Sequence, residues 1–484
     1  MTHRILKQLI LVLTGLACIS AQPAKLEDQL WLEITSDNFT LHTTLETKEA
    51  IDVLHYLELL RAAVPVVTNI ASTESPIPTT IIAVRNIREL KKLGLGRNYG
   101  GAFYRGVRNN LIVLRDSKFH ESSGVAMHEY VHYLTRNGSS QEYPRWYSEG
   151  FAEYFGTAVL NGNSFEIGRF PAERARQFRN CDWLHLAKVI ANTGSSACMF
   201  YPASWAAVHY IQSMPNHVKL FSDYLQRVEQ GEDDVEAFST AFDVNITTFN
   251  FQIKQYVKKG KFSYIGIPAD ELLTQFETDT RPLLKHEVTL LLAQAAFRMG
   301  KLDNAQYWFE LAANYNETRA EAEAGIGDVH KYQKDYESAE PHFIKAVELA
   351  PENINVLLDM GEYWLSRARA EKDNELRDMH LKTARKYFGK AWKLDDTGPE
   401  TYAMYGRSFL LQENFEKSID TLEAANRILP SDINVRMDLA EAYTGLGQFD
   451  DARGHARAVR AWSHDSSSVK KKAEELLKKI DASP

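Results

Sequence analysis

From about residue 282 onward the chain repeats itself with a period of about 34 residues, and no other feature constrains its fold as strongly. The clearest unit runs from Ala320 to Asn353. In it Gly327 permits close packing of a first helix, Ala339, Phe343 and Ala346 share one face of a second, and Pro351 stops that helix. The same positions return as Ala293, Ala305, Phe309 and Ala312 before this unit, and as Gly406, Leu422, Ala425 and Pro430 after it. A further unit carries Gly361, Ala384, Phe388 and Ala391, with about eleven extra residues around Ala370 to Met379 that lengthen a helix or a loop. Leu439, Ala440, Tyr443 and Ala452 mark a fifth unit, and the lysine-rich stretch from Ser468 to Ile480 reads as a solvated capping helix. A single helix pair cannot bury its own apolar face, whereas stacked pairs can. Residues 282–482 are therefore expected to form an all-α solenoid.

These units resemble tetratricopeptide repeats, about five of them, one with an insertion. The resemblance implies a surface that recruits a protein partner, although the surface residues spell out no particular ligand.

The remaining part does not repeat. Of 484 residues 44% are apolar, enough for more than one core. Lys and Arg total 56 against 64 Asp and Glu, a net charge of -8 with no long block of one sign, which speaks against nucleic acid or an acidic membrane as partner. Arg4 and Lys7 precede an apolar run from Leu9 to Ile19 and small residues at Ser20 and Ala21, the pattern of a secretory signal peptide over residues 1–21. Ala17-Cys18 resembles a lipoprotein signal, but Gly15 stands where a larger aliphatic residue is usual, so cleavage near Ala21 is favoured. No later stretch is long and apolar enough to span a bilayer. The mature protein is expected to be soluble and exported, periplasmic or extracellular. Cys181 and Cys198 would then meet an oxidising compartment, either as one disulfide or as two isolated buried thiols; no CxxC pair exists to build a zinc site on them.

Between about residues 25 and 275, Leu30 to Thr43 alternates as strands do, Lys48 to Val67 has helical periodicity, and Thr79 to Val84 and Asn110 to Leu114 are rich in β-branched and aliphatic residues. The expected order is strand, helix, strand, strand, then helices only, an α+β arrangement.

The chemistry-bearing segment is Ala126 to Leu134, in which His128, Glu129 and His132 form an HExxH motif on a helix. Residues i and i+4 share a helix face, so both imidazoles can hold one Zn²⁺ while Glu129, one step around, addresses water. A catalytic zinc keeps three protein ligands and an open position, so a third ligand is required. Downstream lies Trp146-Tyr-Ser-Glu-Gly-Phe-Ala-Glu-Tyr154. It resembles the WLxEGFAxY segment of aminopeptidase N-type gluzincins, whose Glu before Gly is the third ligand, and the match assigns that role to Glu149. Glu153 competes, one turn further along the same face, and otherwise holds a ligand histidine from behind or sits exposed. Tyr201-Pro-Ala-Ser-Trp-Ala-Ala-Val-His-Tyr-Ile211 is similar to a later helix of the same enzymes, whose leading tyrosine donates to the oxyanion; Tyr201 inherits that role or merely packs at a helix start. His185 and His209 read as packing or surface histidines.

The resemblance is to a gluzincin, or peptidase-MA-like, zinc metallopeptidase, with the zincin-like α+β fold over residues 25–275. The weak sheet pattern before the HExxH helix is like that of thermolysin-type peptidases. One departure stands out: aminopeptidases of this kind carry a GAMEN strand whose Glu holds the free amine, and here the stretch reads Gly101-Ala102-Phe103-Tyr104-Arg105. The resemblance therefore implies an endopeptidase rather than an aminopeptidase, acting on a polypeptide substrate. Zn²⁺ held by His128, His132 and Glu149 would bring the pKa of water towards ~7, Glu129 would take its proton, and Tyr201 would share the oxyanion charge. Two other readings remain: a repeat-based binding module with an inactive peptidase-like domain, and a zinc hydrolase of non-peptide amides or esters. The repeats are also expected to be separable, with proteolytic cleavage around residues 262 to 283.

Overall fold

The structure is a computed structural model, and it describes residues 25–68, 74, 77–95, 101–115, 124–137, 143–193, 197–230, 232–463 and 467–482. The leader read at residues 1–21 lies outside the described residues. The first part is built on a mixed sheet in the order β4-β5-β3-β2-β1-β9. Its strands are β1 (Leu32–Thr35), β2 (Phe39–Thr43), β3 (Thr79–Ala83), β4 (Gly101–Tyr104), β5 (Asn110–Leu114) and β9 (Asp279–Pro282). β2, β3 and β5 run parallel, while β1, β4 and β9 are antiparallel to their neighbours. Between β2 and β3 runs the long helix α1 (Thr47–Thr68).

Side chains alternate across a strand, so an unbroken apolar run must be covered on both faces. That is the case for β3 and β5. Ile81, Ala83, Ile112 and Leu114 belong to one core, shared with α1 and with the helices α2 (Gly124–Asn137), α3 (Arg145–Gly156) and α4 (Phe200–Gln212). Ile82, Leu111 and Val113, joined by Val84 and Trp31, belong to a second core on the other face. The partners there are Leu292, Ala296, Trp308 and Phe309 of the first repeat.

The expectation of helices only after β5 needs correction. A second, three-stranded sheet, β6-β7-β8 (Val159–Asn161, Ser164–Ile167 and Ile265–Pro268), follows α3 and is closed by the chain's return a hundred residues later. β9 also returns, to pair with β1. Its four residues, Asp-Thr-Arg-Pro, are all exposed, and Pro282 at its end is tolerated on an edge strand. β9 has no apolar pattern to announce it, whereas the β6–β7 hairpin has one, in Phe165 and Ile167 after the turn at Asn161-Gly162.

The second part is a solenoid of five helix pairs with a cap, as the repeat spacing predicts. The pairs are α5 and α6 (Lys285–Arg298, Leu302–Ala312), α7 and α8 (Arg319–Tyr332, Tyr336–Leu349), and α9 and α10 (Ile354–Ala370, Asn374–Leu394). Then follow α11 and α12 (Pro399–Leu410, Phe415–Ile428), α13 and α14 (Ile433–Gly445, Phe449–Trp462), and the cap α15 (Ser468–Asp481). The insertion around Ala370 to Met379 is absorbed as added turns in α9 and α10. At Gly327 a Cβ would meet the Phe343 ring at 2.9 Å, which is why a glycine recurs in the first helix of the unit.

The two parts interlock. The turn between β4 and β5 reaches into the solenoid, where Arg108 pairs with Asp359 of α9 at 2.8 Å and with Glu400 of α11. Arg298 of α5 donates to the carbonyl oxygens of Tyr104 and Arg105, both at 3.0 Å, and of Asn109 at 2.8 Å. At the N-terminal side, Glu27 accepts from Tyr307 at 2.8 Å and from Trp308 at 3.2 Å. This packing runs against the expectation of a separable repeat unit, because the segment around residue 280 is a sheet strand and the second core draws on both parts.

A fragment ending at residue 275 is therefore expected to expose Trp31, Ile82, Val84 and Val113 and to be insoluble or molten, as read by circular dichroism and dye binding. In the full chain Trp308→Ala should lower stability by about 3–5 kcal/mol, the cost of emptying a buried indole site. Chemical denaturation followed by probes in both parts should show one shared transition. Two transitions, with only the repeats affected, would restore the separable reading.

Candidate metal centre

The rotation of α2 about its axis is set by its apolar residues: Ala126, Met127, Tyr130, Val131, Tyr133 and Leu134 are all buried in the first core. This leaves His128 and His132 facing α3. On α3, buried Trp146, Phe151, Ala152 and Phe155 fix the rotation in the same way and present Glu149 to the two imidazoles. Gly150, directly after Glu149, is where α4 crosses α3, and a Cβ there would run into the Ser204 backbone. The Glu-Gly pair thus combines a polar group turned to one side with a helix crossing on the other.

The three groups converge. His128 Nε2 lies 2.9 Å and His132 Nε2 3.3 Å from Glu149 Oε2, and the two Nε2 atoms are 3.1 Å apart. All three ligand atoms fall within 4.8 Å of one another, so His128, His132 and Glu149 can share one cation. Glu153 does not join them. Its Oε1 lies 3.3 Å from His128 Nδ1, the far ring nitrogen, and both of its oxygens are held by Arg174. His132 Nδ1 is 3.1 Å from Ser148 Oγ. Each imidazole thus has one nitrogen aimed into the cluster and the other fixed from behind, the arrangement that orients histidine ligands in metal sites. Ser148 and Arg174 were not singled out in the sequence; the only signal for Ser148 is that it precedes Glu149.

The electrostatics favour one positive charge at this point. Burial works against protonation of His128, but hydrogen bonds to Glu149 and Glu153 and the charges of both push it up to about 10. Burial, seconded by the Arg136 cation, holds His132 down to about 4. Burial would raise Glu149, yet the two imidazoles hold it well below the usual carboxylate range. Burial likewise opposes ionisation of Glu153, but hydrogen bonds from His128 and Arg174 bring it down to about 2.

Glu129 is half-buried beside the cluster, and its charge acts on Arg105, Arg136 and Tyr201. Tyr201, in the first turn of α4, stands edge-on to His128 with ring centroids 6.2 Å apart, under the Arg174 guanidinium at 5.2 Å. Burial and the Glu149 charge raise its pKa against the pull of Arg145, so its hydroxyl stays protonated at neutral pH and can donate. All five residues singled out by motif are thus brought to one place. Just ahead of Tyr201, Cys181 and Cys198 form a disulfide with Cα atoms 6.1 Å apart. His209 is a packing residue, bonded to the Gly168 carbonyl at 2.7 Å and to Tyr256 at 2.8 Å.

A second acidic group, Asp328, Asp359 and Glu362 in the solenoid, has the proximity of a cation site. Its cations are side chains: Lys331 sits 2.7 Å from Asp328 and 3.0 Å from Glu362, and Arg108 pairs with Asp359.

Two family models described as tetratricopeptide repeat match residues 324–353 and 409–476. Among solved structures, a thermophilic TPR protein of Thermus thermophilus is 18% identical with a TM-score of 0.37, covering 40% of this chain and 99% of its own. YrrB, a TPR protein with an unusual peptide-binding site, is 16% identical with a TM-score of 0.29, over 40% of this chain and 91% of its own. PilW, a widely conserved type IV pilus biogenesis factor, is 17% identical with a TM-score of 0.33, over 41% and 90%. No curated protein matches the chain. No helix among the described residues is long and apolar enough to cross a membrane. The C-terminal solenoid is built of tetratricopeptide repeats, a module of the kind that binds protein partners.

Proposed function

We propose that the chain is an exported zinc-dependent hydrolase of the gluzincin type, a metallopeptidase with a zincin-like catalytic part acting on polypeptides. The observation that supports this best is the convergence of His128 Nε2, His132 Nε2 and Glu149 Oε2 with the second nitrogen of each imidazole already held. Two histidines and one carboxylate are the donor set of a catalytic zinc, which leaves a coordination position open. A zinc ion there supplies Lewis acidity, polarising a carbonyl and acidifying water.

The chain's own groups then have separate tasks. Glu153 and Ser148 keep the imidazoles in the orientation that presents Nε2. The Glu129 carboxylate takes a proton from the attacking water and returns it to the leaving amine. The Tyr201 hydroxyl donates to the oxyanion as charge develops. The absence of a glutamate in Gly101–Tyr104 argues for cleavage within a chain rather than release of its first residue.

A second reading has its own support. Tetratricopeptide repeats are what the family models find here, and a protein-binding module needs no hydrolysis. In that reading the first part is an inactive peptidase-like scaffold. Part of the solenoid is taken up by the Arg108 turn, so a partner would use the surface that remains.

The protein isolated without chelators should hold about one Zn²⁺ per chain by atomic emission. Glu149→Ala should lose it, whereas Glu153→Ala should keep it with roughly 10- to 100-fold lower affinity, the usual effect of losing the group behind a histidine ligand. Metal lost from Glu153→Ala and kept by Glu149→Ala would reverse the two assignments.

Glu129→Gln should keep zinc and fold, yet lower hydrolysis of a broad peptide library by on the order of 10²-fold or more, since an amide cannot take the proton. Zinc-loaded wild type with no turnover dependent on Glu129 would decide for the binding module.

A further inference from the structure

The helix that carries the two histidines has a third polar residue on the same face. His128, His132 and Arg136 stand at i, i+4 and i+8, so the Arg136 guanidinium continues the line of the imidazoles by one turn. Such a position normally comes with a carboxylate, because a buried guanidinium left unpaired is costly. Here Nε and Nη1 of Arg136 are buried and have no acceptor among the described residues. The ring of Trp462, from the last helix of the fifth repeat, covers the guanidinium at 5.6 Å, and Arg436 lies on the same ring at 4.6 Å. A cation–π contact softens the burial but supplies no hydrogen-bond acceptor in the guanidinium plane.

A second guanidinium shares this place. Arg105, at the end of β4, makes one long bond to the Ser431 carbonyl at 3.4 Å and no ion pair among the described residues. Burial and then the repulsion of Arg105 bring the Arg136 pKa down to about 9, against the attraction of Glu149 and Glu129. Glu129, Glu149, Glu153 and Asp432 face Arg105, Arg136, Arg145 and Arg174, so a divalent cation on the histidines would tip the neighbourhood to an excess of positive charge. An anion brought in by a ligand would relieve the repulsion, occupy the free donors and pair with a planar fork suited to carboxylates.

We propose that Arg105 and Arg136 form an anion-recognition subsite beside the metal cluster, which takes a carboxylate of a polypeptide ligand. The subsite lies between the histidine helix and the fifth repeat, so a ligand held there touches both parts of the chain. Its two sources are the C-terminal carboxylate of a peptide and the side chain of an internal Asp or Glu. The inference rests on the hydrolase reading for its substrate class, but binding can be measured without turnover.

The test uses full-length, zinc-loaded Glu129→Gln protein and a fluorescein-labelled short-peptide library without Asp or Glu, followed by fluorescence anisotropy. The library is prepared with a free C-terminal carboxylate, with a C-terminal amide, and with the amide plus one internal Glu. One of the two carboxylate-bearing forms should bind roughly ten- to a hundred-fold tighter than the neutral amide. Preference for the free C-terminus identifies a terminal carboxylate as the ligand; preference for the internal Glu identifies an acidic side chain. Adding Arg136→Met, which keeps the volume and removes the charge, should abolish the preference while leaving zinc content and the affinity for the neutral amide unchanged. Because no acceptor is lost, the Arg136→Met protein should melt at or above the parent's temperature, and acetate should raise the melting temperature of the parent only. Arg105→Gln should weaken the preference in the same direction. Equal binding of all three peptide forms, or a preference that survives Arg136→Met, overturns the subsite. A preference that depends on Arg136, in a protein whose wild type hydrolyses nothing, upholds the subsite and overturns the hydrolase.

Discussion

The two central parallel strands are apolar on both faces, and the rest of the molecule is arranged around that requirement. Ile81 and Ile112 turn to the side of the histidine helix, Ile82 and Val113 to the side of the first repeat. A strand has no third direction, so covering one face without the other would leave a row of branched side chains in water. A slip of one residue would send each set to the wrong neighbour, which pins the register of β3 and β5 strongly. The first repeat is therefore a wall of the core of the N-terminal part as much as the start of an array, and its orientation relative to the histidines follows from the pleat of two strands.

The same coupling is repeated electrostatically at the sheet edge. β4 packs on the histidine helix through Phe103, whose ring lies 5.8 Å from Tyr130 and 5.7 Å from Tyr133. The turn that follows it is gripped by the first, third and fourth repeats through Arg298, Asp359 and Glu400. Arg108 is half-buried, and a guanidinium held between two carboxylates there specifies one geometry more than it adds stability. An edge strand next to a candidate catalytic helix is thus held by residues some two to three hundred positions away.

Much of this was legible in the sequence where periodicity carries the information. The Gly327, Ala339, Phe343 and Ala346 pattern names both helices of a pair because each residue type answers a steric need visible at one position. The HExxH helix was legible for the same reason, and Glu149 rather than Glu153 as third member followed from a motif whose glycine has a packing cause at the α3 and α4 crossing. Part of what escaped had no local signature: β9 is four exposed residues whose only reason to be extended is the free edge of β1, and β8 joins the small sheet from about a hundred residues away. The β6–β7 hairpin, by contrast, has a local one, an Asn161-Gly162 turn followed by alternating Phe165 and Ile167. The Arg108 turn looks like any exposed basic loop until the acidic groups of α9 and α11 are placed around it. Pairing between distant residues leaves no trace in spacing, and the shared core that argues against separable repeats is of that kind.

Arg136 is the instructive intermediate case, because its signal is local but lies outside the five residues of the motif. The spacing that puts His128 and His132 on one face puts Arg136 there too, one turn on. A motif read as five letters stops at the second histidine, whereas the physics of the helix does not. The face continues until the helix ends at Asn137, and whatever it carries shares the field of the same carboxylates. That Arg136 ends under Trp462 required the solenoid to be in place; that it would follow His128 and His132 along one helix face did not.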